Sequence, residues 1–275
     1  MTIKEFLSAT TKKFEQAGIS SARLDAEVIL AHTMGKDRVW LLARSNEKMS
    51  KSTQAAADKL IDKRLTRQPV SYVIGRKEFY GLDFYVDERV LTPRDETELI
   101  AEEVIKHAPQ KAAVIDIGTG SGALAIAIAK HRPDLSVSAS ELSKPALEVA
   151  AINAEKILGT DHQIDLIRSD LFCDIVGQFD IIITNLPYVS SDYKPRMMAE
   201  VKHEPAVSLF GGPNDGLDLY RKFFKQAPAH LKPGGKVYLE SDPWQHQELT
   251  KIAAQAGLKL AFQNYLILGF ALKTS

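Results

Sequence analysis

Cys173 is the single cysteine in 275 residues, so no intrachain disulfide can brace the fold. The chain must rely on a hydrophobic core, and a reducing compartment suits it. Histidines are scattered at 32, 107, 131, 162, 203, 230 and 246, never at the spacing of metal ligands, and no metal site is expected. Long apolar runs are also missing. ALAIAIA, at 123–129, is among the longest, far below the roughly 20 residues that a membrane-spanning helix needs. The opening MTIKEFLSATTKKF has early charges and no apolar centre, which does not read as a signal peptide. Internal repeats and low-complexity segments are absent, and net charge is zero. These absences predict a soluble, cytoplasmic protein with no membrane association.

What is present is ordinary for a soluble globular protein: 45% hydrophobic and 25% charged residues, enough for a full core and too apolar for disorder. The charge is unevenly placed. Residues 1–70 hold 13 Lys and Arg against 8 Asp and Glu, a balance of +5, and the remainder carries −5. A mildly basic front can meet nucleic acid or an acidic partner, although such a surface is more often a solvated helical face.

The first 70 residues contain one proline, Pro69, and no strand-like alternation. SARLDAEVILAHTMG places Leu24, Val28 and Ala31 on one helical face, with Ser20 or Ser21 as cap and Gly35 as stop. TQAAADKLIDKRL predicts a second amphipathic helix. Residues 70–92 turn to β-rich composition around Gly81, which predicts a hairpin. Beyond about residue 95, short apolar strands (KAAVIDIG, LSVSASE, HQIDLIRSD, FDIIITN, GGKVYLES) alternate with helices, and final strands lie in LKLAFQNYLILGFALKT. The reading is α/β, an open and mostly parallel Rossmann-like sheet.

Ligands of such sheets bind beyond the carboxyl ends of the strands. The loops after residues 117, 140, 170 and 185 therefore share one rim. In DIGTGSGAL, Asp116 precedes a turn in which Gly118, Gly120 and Gly122 let a ligand approach the backbone, and the next helix offers free amides. Glu141, ending the following strand, is placed to accept both hydroxyls of a ribose. The loop also satisfies G-x-G-x-x-G/A and by itself does not choose between nucleotide ligands. Asp116, which can take an ammonium, and Asp170, which can accept from an adenine amino group, tilt the reading to S-adenosylmethionine. A helix cap is an equal alternative for Asp170.

TNLPYV, residues 184–189, ends an apolar strand on that rim. A carboxamide nitrogen is a poor nucleophile because its lone pair is delocalised. Its methylation needs in-line positioning and acceptors for its hydrogens. Asn185 offers an oxygen acceptor and an NH₂ donor, the Leu186 carbonyl a second acceptor, Pro187 rigidity, and Tyr188 a flat face for a planar amide or base.

NLPY resembles the [N/D]PPY motif of enzymes that methylate planar nitrogens. With it, SARLDAEVILAHTMGKDRVWLLAR, PVSYVIGRKEFYGLDFYVDERVLTPRDETELI, VIDIGTGSGALAIAIA, HEPAVSLFGGPNDGLDLYRKF and LKPGGKVYLE resemble the bacterial release-factor glutamine methyltransferases, the HemK/PrmC family, across nearly the whole chain. The resemblance implies methyl transfer from S-adenosyl-L-methionine to N5 of the glutamine in the Gly-Gly-Gln loop of peptide chain release factors, with S-adenosyl-L-homocysteine as product. It implies a helical substrate-docking domain over 1–70, a β-hairpin connector over 71–92 and a methyltransferase domain over 93–275. Asp116, Gly118, Thr119, Gly120, Ser121, Gly122, Glu141, Asp170, Leu171 and Asn185 would hold the cofactor. Asn185, Leu186, Pro187 and Tyr188 would clamp the glutamine, with Glu204 beside the substrate channel or in a salt bridge. Arg94, Glu96 and Glu98 shape the pocket or, as favoured, tie the hairpin to the sheet. A monomer without direct nucleic-acid binding is expected.

The chain departs from the family at Leu186 for proline, Asp95 for proline in PRDETE, LESD for LEIG, and a C-terminus without DLAGRDR. The rivals are a glutamine methyltransferase of a ribosomal protein, a DNA amino-methyltransferase, and a dehydrogenase or non-enzymatic cofactor binder.

Overall fold

The computed structural model describes residues 1–272. The chain forms two compact units: Met1–Arg76 with Met198–His203, and Lys77–Met197 with Glu204 onward.

The first unit is helical: α1 (Ile3–Gln16), α2 (Ala22–Met34), α3 (Arg38–Ala43), α4 (Lys51–Leu65) and α5 (Val70–Ile74). A capping box starts α1, where Thr2 accepts from the Glu5 N–H and Glu5 from the Thr2 N–H. Phe6, Leu7, Phe14, Ile29, Leu30, Leu41 and Ile61 fill its core. In α2, Gly35 is the expected stop, with φ of 61°. The expected inner face is displaced, because Leu24 is exposed and Ala22, Asp25, Ala26, Ile29 and Leu30 are buried. The buried Arg64–Asp25 pair, at 2.8 Å, is what brings a charged position of α2 to the inside. Arg67 and Arg64 also grip Glu200 at 2.8 and 2.9 Å, and the Arg67 hydrogen bonds hold its carboxyl down at about 2.

Residues 70–74 are helical, not part of the hairpin expected over 71–92. VSYVI reads as strand by propensity, yet Ser71, Tyr72 and Val73 bury their side chains on this turn, and Gly75 stops it at φ 65°. The hairpin is confined to β1 (Lys77–Phe79) and β2 (Leu82–Phe84). Its two-residue turn has positive φ at Tyr80 (50°) and Gly81 (74°), as a type I′ turn requires.

The second unit continues with α6 (Glu98–His107), β3 (Ala113–Ile117), α7 (Ala123–His131), β4 (Ser136–Glu141), α8 (Lys144–Leu158), β5 (Asp165–Arg168) and β6 (Phe179–Thr184). Then come the short β7 (Val189–Ser190) and β8 (Phe210–Gly212), α9 (Asp218–Gln226), β9 (Leu231–Glu240), α10 (His246–Gln255), β10 (Leu258–Asn264) and β11 (Ile267–Leu272). Positions 273 and 274 of the last expected strand lie outside the described residues.

The main sheet has the order β10-β11-β9-β6-β3-β4-β5. Its five strands from β9 to β5 are parallel, and β11 and β10 add antiparallel pairs at one edge. On one face Ile100, Val104, Leu124, Ile128 and Ala154 pack against the sheet. On the other, Tyr220, Phe223, Phe224, Leu249 and Ala253 do so. Chain order reverses between β3 and β6, the switch point where such sheets open a crevice. The register Ile117↔Thr184 and Thr184↔Leu239 brings Gly118, Asn185 and Glu240 to the same rim, each one residue past its pair.

Candidate active site

A cleft of about 1040 Å³, counted out to open solvent, occupies that rim. Its wall includes Asp116, Gly118, Thr119, Gly120, Ser121, Glu141, Asp170, Leu171, Asn185, Leu186 and Pro187. Gly122, Tyr188 and Glu204 are not part of that wall.

The glycine loop is built by backbone bonds from both sides. Gly118 and Thr119 donate to the Ser140 carbonyl, each at 2.9 Å, and Gly122 donates to Thr119. Gly118, Gly120 and Gly122 all take positive φ (76°, 57° and 83°), where an L side chain is strained. A Cβ on Gly122 would lie 2.7 Å from Ile126 and 3.3 Å from Ala150, so this glycine serves the close approach of α7 and α8, away from the cleft. Asn153 on α8, fully buried, donates to the Ser121 carbonyl at 2.9 Å and to that of Tyr85 at 3.0 Å. Sequence alone gave no reason to single it out.

Glu141 is held by two backbone donors, Gly120 N–H to Oε2 and Ser143 N–H to Oε1, both at 2.9 Å. Each oxygen keeps a lone pair for a ligand hydroxyl. Asp116 is buried, and burial pushes its carboxyl up to about 7. The Thr119 hydroxyl donates to Oδ2 at 2.6 Å, while Oδ1 is buried without a partner. Across the cleft, Leu171 takes the left-handed conformation (φ 52°), an unusual one for leucine. No helix follows Asp170 for it to cap: residues 171–174 are a turn in which Ser169 accepts from the Asp174 N–H at 3.0 Å, and the exposed Asp170 sits on the cleft wall.

Asn185 follows β6 directly. Its Nδ2 donates to Thr97 Oγ1 at 3.0 Å, and that hydroxyl donates to Glu240 Oε2 at 2.5 Å. Leu186, where the family carries proline, is buried in the core, and its Cδ2 lies 3.1 Å from where a Gly118 Cβ would stand. Side-chain packing thus anchors this residue in the core. Tyr188 presents its hydroxyl to Glu240 Oε1 at 2.9 Å, and burial beside that carboxylate raises the phenol well above its ordinary range.

For Glu204, where a place beside the substrate channel and a salt bridge were both open, the structure shows the salt bridge: its buried carboxylate pairs with Arg94 at 2.5 Å. A buried carboxylate needs such a partner, and burial still pushes its pKa up. Glu98 accepts from the Tyr80 N–H at 2.8 Å and Asp95 from Lys77, so the PRDETE block ties the hairpin to the sheet unit. Thr97 within that block, Glu240 at the end of β9 and Gln245 went unrecognised in the sequence. The acid closing the apolar GGKVYLE strand was the available signal for Glu240.

Residues 5–75 match the PrmC N-terminal domain, and residues 95–204 the methyltransferase small domain. The chain is 39% identical to the release factor glutamine methyltransferase of Geobacter sulfurreducens, over 87% of this chain and 84% of that one. It is 35% identical to the release factor glutamine methyltransferase of Moorella thermoacetica, over 98% of this chain and 94% of that one. Among solved structures, a methyltransferase from Pyrococcus furiosus shares the fold, with a TM-score of 0.52, 21% identity, and coverage of 70% of this chain and 89% of that one. Sequence kinship of this extent, joined to the glycine loop and the NLPY rim, shows that the chain belongs to the release factor glutamine methyltransferase family.

Proposed function

We propose that the protein transfers the methyl group of S-adenosyl-L-methionine to the side-chain amide nitrogen of the Gly-Gly-Gln glutamine in a peptide chain release factor, in the cytoplasm. The observation that carries this reading is Asn185 on the cleft wall at the sheet's switch point, one strand away from the glycine loop. The cleft residues fit the cofactor: a carboxylate with spare lone pairs at Glu141, an unpartnered buried oxygen at Asp116 suited to an ammonium, and a backbone surface at Gly118 that a Cβ would fill.

When bound, the cofactor supplies a methyl on a positively charged sulfur. The residues of the chain then have three tasks. The Asn185 side-chain oxygen and the Leu186 carbonyl accept the hydrogens of the substrate amide, which exposes the nitrogen lone pair toward the methyl. In this reading the Asn185 NH₂ also serves the substrate carbonyl. The new C–N bond forms as the C–S bond breaks, S-adenosyl-L-homocysteine leaves, and the extra proton passes to solvent. The positively charged product amide is strongly acidic, so the step needs no enzymic base and no covalent intermediate. A helical docking role for the first unit stays part of the proposal, supported by its match to the PrmC N-terminal domain.

With labelled cofactor, a bacterial release factor should accept label, and a Gly-Gly-Ala version of its loop should not. Label on neither, with the cofactor shown to bind, would redirect the reading to a ribosomal protein or DNA. Glu141→Ala should weaken S-adenosyl-L-homocysteine binding by about 1–3 kcal/mol in calorimetry, the usual cost of a lost charge-assisted hydrogen bond. Unchanged affinity would remove Glu141 from the cofactor site.

A further inference from the structure

Behind the clamp lies a carboxylate that the proposed reaction does not use. Glu240 is 2% exposed and closes β9 beside the end of β6. Thr97 reaches its Oε2 and Tyr188 its Oε1, and Tyr220 fixes the strand end by donating to the Glu240 carbonyl at 2.6 Å. No cation pairs with Glu240 among the described residues, so the Thr97 and Tyr188 hydroxyls and the Asn185 amide carry the compensation for its burial.

The donor and acceptor inventory of this chain has one consistent solution. An ionised carboxylate only accepts, so the single Thr97 hydroxyl proton must go to Glu240. Thr97 Oγ1 can then only accept from its other neighbour, and Asn185 must turn its NH₂ toward it, as the 3.0 Å contact shows. The opposite edge of the carboxamide, Oδ1, is left for the cleft. A reversed amide would set Oδ1 against a hydroxyl oxygen whose proton is already committed.

We propose that Glu240 and Thr97 are positioning residues that set the orientation of the Asn185 carboxamide, so that its oxygen, the acceptor a substrate amide requires, faces the cleft. Glu240 also holds the Tyr188 ring through its hydroxyl, and so governs both ends of the NLPY loop. This inference rests on the glutamine-transfer reading above. Burial raises the Glu240 carboxyl pKa, and the hydrogen bonds from Thr97, Tyr188 and Asn185 oppose that rise.

The test compares Thr97→Val, which keeps the shape and removes the hydroxyl, with Thr97→Ser, which keeps the hydroxyl. Thr97→Val should lower kcat roughly 10²-fold, the scale of a misplaced reacting group. KM for the release factor, the affinity for S-adenosyl-L-homocysteine and the melting temperature should stay close to wild type. Thr97→Ser should recover most of the rate. Thr97→Ala, which adds no bulk, serves in place of Thr97→Val if that variant does not fold. A hydroxyl-free variant with wild-type kcat would overturn the proposal, as would a serine variant as slow as the valine one. A wild-type enzyme that labels no release factor would remove the underlying reading, whereas an active wild type with an equally active Thr97→Val removes this inference alone.

Discussion

Asn185→Ala should lower kcat for release-factor methylation by roughly 10³-fold, the scale seen when one preorganised polar group at a reacting centre is removed. That corresponds to about 4 kcal/mol of transition-state stabilisation. Cofactor affinity should hold, because the groups aimed at a nucleotide stand on other strands: Glu141 on β4, the glycine loop after β3, and Asp170 with Leu171 after β5. The fold should hold as well. Asn185 is only partly buried, and its side chain bonds only to Thr97 and Glu240 among the described residues. The measurement pairs steady-state methylation of the release factor with calorimetric titration of S-adenosyl-L-homocysteine. Equal loss of both would place Asn185 in the cofactor site and leave the amide clamp without its principal acceptor.

The convergence of these loops on one rim was readable in the sequence because it follows strand order. A glycine turn after one apolar strand, an acid after the next and NLPY after the fourth could only converge if the strands were parallel, and β3, β4 and β6 are. Where the sequence misled, a tertiary contact overrode a local preference. VSYVI carries strand-forming residues, yet it buries three of its five side chains as a helical turn. Leu24 lies outside and Asp25 inside because Arg64, 39 residues away, pairs with the acid. Thr97 and Glu240 are 143 residues apart and meet only in the folded chain. LESD, a departure from the family at the residues after the acid, therefore begins at a residue whose place a single sequence does not reveal.

The block FGGPNDG, carried in the sequence as resemblance alone, acquires a physical reason in the shape of the clamp loop. Gly211 has no left-handed backbone, so conformational freedom does not explain it. A Cβ there would stand 1.9 Å from the Gly216 carbonyl oxygen and 2.3 Å from that of Pro187. Gly216 faces the same loop from the other side, its own Cβ position lying 2.3 Å from the Tyr188 carbonyl oxygen. Gln245 completes this bed, with Nε2 donating to the carbonyls of Tyr188 at 2.9 Å and Asp215 at 2.7 Å. Every obstacle to Gly211→Ala is thus backbone, which no rotamer change can move, and relief must displace either the NLPY loop or the turn beneath it. Gly211→Ala should accordingly cost about 1–3 kcal/mol of stability or more, as overpacking does. Release-factor methylation should fall by roughly 10²-fold, since a shift of about 1 Å in a positioning loop suffices. Gly257→Ala provides the contrast: φ there is 83° and no atom lies within 4 Å, so it should cost about 1–2 kcal/mol from the left-handed backbone and leave methylation untouched. Urea unfolding and kcat measured on both variants separate the two effects. A Gly211→Ala enzyme with wild-type kcat would show that the clamp tolerates displacement, and that the glycine bed shapes the fold without shaping the site.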